Sequence, residues 1–481
     1  MTPVHEVEID GIGSDGAGVG RLDDGRVVFV HRTAPGDRAR IRLVTEKRRW
    51  ARGKLEAVLE PGPGRREPPC RHYERCGGCT LEHLEIGAQL EARTRRVLDA
   101  LERIGGLDPE ALPEPELHPS PREFGYRNRA TFTLVRTRTG VIAGFHRLEA
   151  PGRIEDVDGD CRVLEPALAR LWDGIRASWG PEAGRLPGGR SLRLVLRALS
   201  DGTGLLLVEP GPLRGAPVGP SEPATRGAAD LLAEVEGLRA VWWRPGPDAP
   251  PLLLAGQGGD DEPAPEEVWF GERIPVRPGQ FLQVNRAAAE HLHELALREI
   301  GPPRTSGDAP GSLVDAYCGH GVYGRRFAGL GGRATGIELD PRAVASARER
   351  PVAGFRILEG RVEDRLPEAV EGADRVLLNP PRGGTGSRVM QILAGPASAS
   401  LRRMVYVSCD PATLARDLAT LGVDLPLGTD PGEGPRRSLP RTVSGGSPAL
   451  WQLQRLQLFD LFPQTAHVET MVTLVRPVRT T

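Results

Sequence analysis

The six cysteines of this sequence are the residues best placed to do chemistry. Cys70, Cys76 and Cys79 stand together in CRHYERCGGC, and Cys161 follows in DGDCRVLEP. Four thiols grouped in this way read as ligands of zinc or of an iron–sulfur cluster. The spacing of five residues and then two, with the fourth thiol 82 positions beyond Cys79, is less like a zinc ribbon. Cys409 ends the apolar run MVYVSCDPATL. A lone thiol at the end of a strand reads as a nucleophile, although a lone cysteine is often only a small buried hydrophobe. Cys318, in DAYCGHGVYG, reads as a packing residue of a glycine turn.

That turn is a candidate cofactor cradle. The strand SLVDAY delivers the chain into Gly319, Gly321 and Gly324. Glycine lets a ligand approach the backbone and permits positive φ. Glu338, in TGIELDP, lies 23 residues after Asp315 at the end of the next predicted strand. An acid there can accept the ribose hydroxyls of a nucleoside cofactor. The glycine string is not a G-x-G-x-x-G pyrophosphate site, and an acid precedes it. Such a site suits a cofactor with a cationic amino-acid end, such as S-adenosylmethionine. Asn379-Pro380-Pro381-Arg382 ends a further strand, where rigid prolines would hold the Asn379 amide in place.

The elements that must position these groups fall into three parts. Residues 1–60 alternate apolar and polar with glycine punctuation, the pattern of a small antiparallel barrel. PGPGRREPP at 61–69 is a linker, and 87–106 has helical periodicity closed by Gly105 and Gly106. Residues 61–270 otherwise read as a β-rich middle domain, with Pro/Gly/Ala-rich surface insertions at 209–228 and 244–267. From 271 to 481, strands alternate with helices, which predicts a parallel α/β sheet. The segment 422–450 is too turn-rich for a core element and is expected to loop out.

At 481 residues the chain is expected to hold more than one domain, and its size makes disulfide staples unnecessary. No apolar stretch is long enough to span a bilayer, and the first residues lack a signal-peptide core, so the expectation is a cytoplasmic protein. The net charge of −1 hides local basic runs at 47–54, 91–103 and 126–132. Arginine carries nearly all the positive charge, with Lys47 and Lys54 the only lysines.

Taken together, these motifs resemble the S-adenosylmethionine-dependent RNA (uracil-C5)-methyltransferases, in the branch with a TRAM domain and an iron–sulfur cluster. The resemblance covers nearly the whole chain. It implies an α/β Rossmann-like methyltransferase domain at 271–481, an OB-like TRAM barrel at 1–60 and a β-rich central domain at 61–270. It implies that Cys70, Cys76, Cys79 and Cys161 bind a [4Fe-4S] cluster. QFLQVN at 280–285 resembles the donor-binding motif, which makes Gln283 a donor contact. Tyr317, Gly319, Glu338 and Asn379 match the other cofactor positions. SCDPATLARDL carries the expected nucleophile, Cys409, and HVET the expected base, Glu469. Three departures stand out: Asn379 is more often Asp, Val322 replaces a common polar contact, and Cys409 and Glu469 are unusually far apart in sequence.

Uracil C5 is a poor nucleophile until a thiolate adds at C6, and covalent catalysis of that kind splits one hard step into two. The resemblance therefore implies methyl transfer to C5 of a uridine through a Cys409 adduct. The partner would be RNA, with 23S rRNA favoured and tRNA the alternative; no membrane or protein partner is implied. The base must leave its stack, so a loop or a flipped nucleotide is expected. A non-catalytic RNA-binding protein of the same fold is a competing reading, against which the pair Cys409 and Glu469 argues. An iron–sulfur redox protein is another, but no second redox site is visible.

Overall fold

The computed structural model describes residues 4–212, 222–246, 249–257, 265–276, 278–280, 282–303, 311–425 and 451–476. Strands Val4–Ile12, Gly18–Arg21, Val27–Val30, Arg38–Glu46 and Trp50–Glu60 form a closed barrel. Their alternation turns Val7, Ile9, Val28, Val30, Ile41 and Leu43 inward, where they form one core. Closure joins the first strand to the fourth, with Val4 opposite Arg42, so no edge is left unpaired there.

A seven-stranded sheet fills the middle of the chain, from Leu252–Gly256 at one edge to Ile154–Asp156 at the other. Its inner strands Arg129–Thr137 and Ser191–Ala198 point Phe132, Leu134, Leu194 and Leu196 onto the helix Pro166–Ser178. Phe132 stacks on Trp172 with ring centroids 3.8 Å apart. The stretch 209–228, expected to be a surface insertion, is one only in part. Glu222–Glu234 is a helix, and Ala224, Ala228 and Leu231 are buried. Their helical spacing puts one face on the sheet, which outweighs the Pro/Ala/Gly composition. The second expected insertion, 244–267, is likewise one only in part: Leu252–Gly256 is an edge strand of the sheet and Glu266–Trp269 a strand that begins within it, while 213–221, 247–248 and 258–264 lie outside the described residues.

The C-terminal sheet has the strand order Phe355–Glu359, Arg333–Glu338, Ser312–Ala316, Arg375–Leu378, Arg403–Ser408, Glu469–Val475, Trp451–Phe459 and Val423–Asp424. The first five are parallel; Glu469–Val475 runs antiparallel to both its neighbours. The order reverses beside Ser312–Ala316, which opens a crevice at the carboxyl ends of the strands. The segment 422–450, expected to loop out with no core element, begins inside the core: Val423–Asp424 is a short strand and Val423 and Leu425 are buried, while residues 426–450 lie outside the described residues.

Two elements from before residue 120 belong physically to this sheet. Glu116–His118 pairs in parallel with Trp451–Phe459, with Leu117 opposite Leu458. The helix Ile86–Arg103 buries Val97 and Leu101 in the same core as Tyr406 and Leu418. Full burial of such aliphatic side chains contributes about 1.5–3 kcal/mol each. Arg93 on that helix is fully buried and forks onto Asp460, at 2.8 and 2.9 Å.

Candidate active site

Each predicted cofactor residue follows directly from a strand end of the parallel sheet or from the segment that meets it. Ser312–Ala316 ends at Tyr317, whose φ of 62° is left-handed and costly for a tyrosine. That turn aims the phenol across the switch point, where its hydroxyl donates to the Thr385 carbonyl oxygen at 3.4 Å. Gly319 and Gly321 take φ of 56° and 74°, and a Cβ on Gly321 would stand 2.4 Å from the Phe355 ring. Glycine is therefore required at position 321 by both backbone and space. The helix Val322–Gly329 begins there, so Val322 offers the site a backbone N–H and an apolar side chain.

Glu338 is pinned by backbone donors. Its Oε2 accepts from the Gly319 N–H at 2.8 Å, and its Oε1 from the N–H groups of Leu339 and Asp340. With two lone pairs per oxygen, Oε2 keeps one acceptor position free for a hydroxyl. Next to it opens a cleft of 510 Å³ lined by Leu339, Ile357, Leu358, Gly360, Arg348 and Arg365. This cleft was not legible in the sequence, because its walls come from two strand ends and two helices. Asp315, fully buried, accepts from the Gly324 N–H at 2.9 Å through Oδ2, and its Oδ1 has no partner. Burial pushes this carboxyl up to about 7, and the Glu338 charge adds to the effect.

Gln283 enters through the segment before the helix Arg286–Ile300. Its carbonyl accepts from Asn128 Nδ2 at 3.3 Å, and Gln280 bonds His320 of the glycine turn. The QFLQVN segment is thus held against both the central sheet and the cofactor turn. The Asn379 N–H donates to the Ala316 carbonyl at 3.4 Å, which sets the NPPR loop beside Tyr317.

Cys409 and Glu469 meet across an antiparallel pair. Ser408 is opposite Thr470 in the last pair of the ladder, so Cys409, next after Ser408, and Glu469, next before Thr470, stand at the same end of the two strands. A distance of 60 positions in sequence does not separate them, because Arg403–Ser408 and Glu469–Val475 are adjacent strands. Burial pushes the Cys409 thiol up to about 11, with the Glu469 charge the next largest contribution; Arg382 acts in the opposite direction. Glu469 is buried, which pushes its carboxyl up to about 8, and Arg382 again pulls it down. Arg382 was named in the sequence only as the end of NPPR. Its effect on both groups arises from the fold, which brings that loop to the last strand.

The four remaining candidate thiols, Cys70, Cys76, Cys79 and Cys161, gather in a separate lobe. All four are free. Burial raises each thiol, and for three of them another thiol adds to it: Cys79 feels Cys161, Cys76 and Cys70, Cys161, pushed up to about 12, feels Cys76 and Cys70, and Cys76 feels Cys70. Arg32 of the barrel clamps the loop between them, donating to the carbonyls of Cys79 at 3.0 Å and Cys76 at 2.9 Å. Thiols that are buried or half-buried, three of them opposed by another's charge, suit a cationic centre, which reverses that balance. Among the described residues, no three His, Cys, Asp or Glu side chains already stand in a metal-holding arrangement.

A TRAM domain model matches residues 4–55, the barrel. The chain is 33% identical to the 23S rRNA (uracil(1939)-C(5))-methyltransferase RlmD of Pseudomonas putida, covering 97% of this chain and 92% of that one. It is also 33% identical to the RlmD enzyme of Thiobacillus denitrificans, covering 99% and 100%. Among solved structures, the Pyrococcus abyssi tRNA (uracil-54, C5)-methyltransferase in complex with S-adenosyl-L-homocysteine superposes with a TM-score of 0.64 at 22% identity. That likeness covers 98% of this chain and 100% of the other, and shows a shared fold. No helix among the described residues is long and apolar enough to cross a membrane.

Proposed function

Because the chain belongs to the RNA (uracil-C5)-methyltransferase family, we propose that it methylates C5 of a uridine in 23S rRNA through a covalent Cys409 adduct. The observation that carries the reading is the placement of Cys409 and Glu469 at the same end of adjacent strands, with Arg382 acting on both.

The Cys409 thiolate adds to C6 of a uracil, and the C5–C6 π pair moves to give an enolate nucleophilic at C5. S-adenosylmethionine, when bound, supplies an electrophilic methyl group on a sulfonium. C5 takes that methyl, and the sulfonium electrons stay with sulfur. Glu469, as carboxylate, then removes the C5 proton. The C–H pair re-forms the C5=C6 double bond, and the C6–S bond breaks with its electrons leaving on the Cys409 thiolate. Arg382 favours the charged form of both groups, which burial otherwise opposes.

The donor site fits what the residues offer. Glu338 presents an oriented acceptor on Oε2, and the cleft beside it sets Leu339, Ile357 and Leu358 among the charged side chains of Arg348, Glu359 and Arg365, which gives a purine an apolar contact and polar partners at its edge. Asp315 Oδ1, buried and unpartnered, is an acceptor for a cationic amino group in the glycine turn. Gln283, Tyr317, Gly319 and Asn379 complete the wall. In the cysteine lobe, Cys70, Cys76, Cys79 and Cys161 would hold a [4Fe-4S] cluster that crosslinks segments distant in sequence. Methyl transfer needs no electron from it.

Ribosomal RNA is preferred over tRNA because the relatives above 30% identity with a named substrate act on 23S rRNA. The test maps 5-methyluridine in total RNA from cells lacking the gene, and from the same cells expressing wild-type or Cys409→Ala protein. One uridine of 23S rRNA should lose and regain its methyl group with the wild type only. Loss confined to tRNA would move the substrate assignment, and no change anywhere would overturn the reading.

A further inference from the structure

The loop that leads into Glu469 is tied at one residue to the four-cysteine lobe. Gln464 is fully buried and holds a left-handed φ of 70°, which a non-glycine residue adopts only where its surroundings fix it. Its carbonyl accepts from the N–H groups of Thr80 and Leu81, both at 2.9 Å, immediately after Cys79. Its own N–H donates to Gln89 Oε1 at 2.9 Å. Its side-chain Oε1 accepts from Arg66 at 3.0 Å and from Gln89 Nε2 at 2.9 Å, and its Nε2 donates to Glu123 Oε1 at 3.2 Å. Every polar group of this residue is therefore engaged, and Arg66, Thr80 and Leu81 all belong to the segment that carries Cys70, Cys76 and Cys79.

The same loop has few other ways to move. Arg93 holds Asp460 and reaches the carbonyls of Thr465 and His467, and Tyr126 donates to the Pro463 carbonyl at 3.0 Å. These anchors come from the helix and central domain. Gln464 is the member that faces the cysteine loop, only five residues before Glu469.

We propose that Gln464 is a positioning residue that sets Glu469 for proton removal and makes that setting depend on the order of the cysteine lobe. The inference rests on the reading of Glu469 as the base. A lobe loosened by loss of its cysteines would release the Thr80 and Leu81 donors, and the Glu469 loop would sample other positions. Proton removal, and not adduct formation, would then slow.

The experiment uses the full chain with 23S rRNA fragments. Gln464→Gly keeps the left-handed backbone but removes the side-chain bonds. Gln464→Glu keeps the shape and both acceptor bonds, but sets a carboxylate oxygen against the Glu123 carboxylate and carbonyl in place of the amide donor. Adduct formation on 5-fluorouridine RNA should stay near the wild-type rate in both. Product release should fall, roughly ten- to a hundredfold in Gln464→Gly and less in Gln464→Glu. Hydrogen exchange in 460–469 should rise in Gln464→Gly and also in Cys79→Ser, with the barrel unchanged. If Gln464→Gly does not fold, the Gln464→Glu release rate decides. Wild-type release and exchange in the folded variants would overturn the proposal. Normal turnover in Glu469→Gln would instead sink the base assignment, while faster exchange in Gln464→Gly and Cys79→Ser would still show the coupling.

Discussion

Cys409 follows and Glu469 precedes the register pair Ser408–Thr470, so the two flank the same end of adjacent strands, close enough for the charge of Glu469 to act on the thiol. The pairing has an electrostatic consequence. A charged Glu469 opposes the Cys409 thiolate, and Arg382 favours both ions. Burial holds the thiol up to about 11 and the carboxyl up to about 8, so it favours the neutral form of each group. Arg382 is the group that opposes burial at both and favours their charged forms.

Cys409→Ala should abolish the denaturation-resistant complex with 5-fluorouridine RNA and cut methyl transfer to below roughly a thousandth of wild type. The fluorine cannot leave as a proton, so wild-type enzyme is trapped after methyl transfer. S-adenosylmethionine affinity by calorimetry should be unchanged. A stable RNA adduct on the alanine variant would place the nucleophile elsewhere.

Glu469→Gln should form the adduct and release product slowly, by roughly a hundredfold or more. The pH dependence gives a second readout. Folding raises this carboxyl from its ordinary 4.5 to about 8. A raised acid contributes stability that is fully present below 4.5 and is lost as pH rises through 8. The melting temperature of Glu469→Gln should therefore gain on wild type between those limits and level off above them. Parallel melting curves across that range would contradict the burial of an ionisable Glu469.

Arg382→Ala should raise the pH at which methyl transfer becomes efficient, because both Cys409 and Glu469 lose the charge that lowers their pKa values. Arg382→Lys should recover part of the shift, since it keeps a cation but not the planar fork. The check is the pH profile of single-turnover methylation. An unshifted profile in a folded Arg382→Ala protein would remove Arg382 from the site.

Much of this arrangement was legible because strand ends carry it. Tyr317, Glu338, Asn379 and Cys409 each follow an apolar run, and apolar runs are read directly from sequence. The helix Glu222–Glu234 was not, because composition was weighed over the buried spacing of Ala224, Ala228 and Leu231. The pairing of Glu116–His118 with Trp451–Phe459 joins residues more than three hundred positions apart, which no local pattern specifies. Arg382 and Gln464 escaped for the same reason: what they do depends on which distant loop the fold brings to them.

The cysteine lobe makes a compositional prediction. Protein purified without oxygen should be brown and carry about four irons per chain. Cys161→Ser should lose colour and iron, although Cys161 lies 82 positions from Cys79. Colourless protein with one zinc would favour the rival ligand chemistry that four thiolates equally allow.

The barrel's contribution to RNA binding is best tested without removing it. Arg32 of the barrel clamps the cysteine loop, and Asp37 accepts from Arg65 and from the Gly62 N–H, so deleting 1–60 would also loosen the lobe. Lys47, Arg48 and Arg49 instead sit exposed on the turn between Arg38–Glu46 and Trp50–Glu60, where substitution disturbs no core. Every cation withdrawn from a phosphate should flatten the salt dependence of binding by about 0.7 on a single strand and about 0.9 on a duplex. The triple variant Lys47→Ala/Arg48→Ala/Arg49→Ala should therefore bind 23S rRNA fragments more weakly, with a shallower slope of log affinity against log salt. Donor affinity should not change, because Gln283, Tyr317 and Glu338 all lie far along the chain in the C-terminal sheet and the segment before it. RNA affinity and slope equal to wild type would show that this face of the barrel stays clear of the RNA, and would turn the search to the arginines of the central sheet.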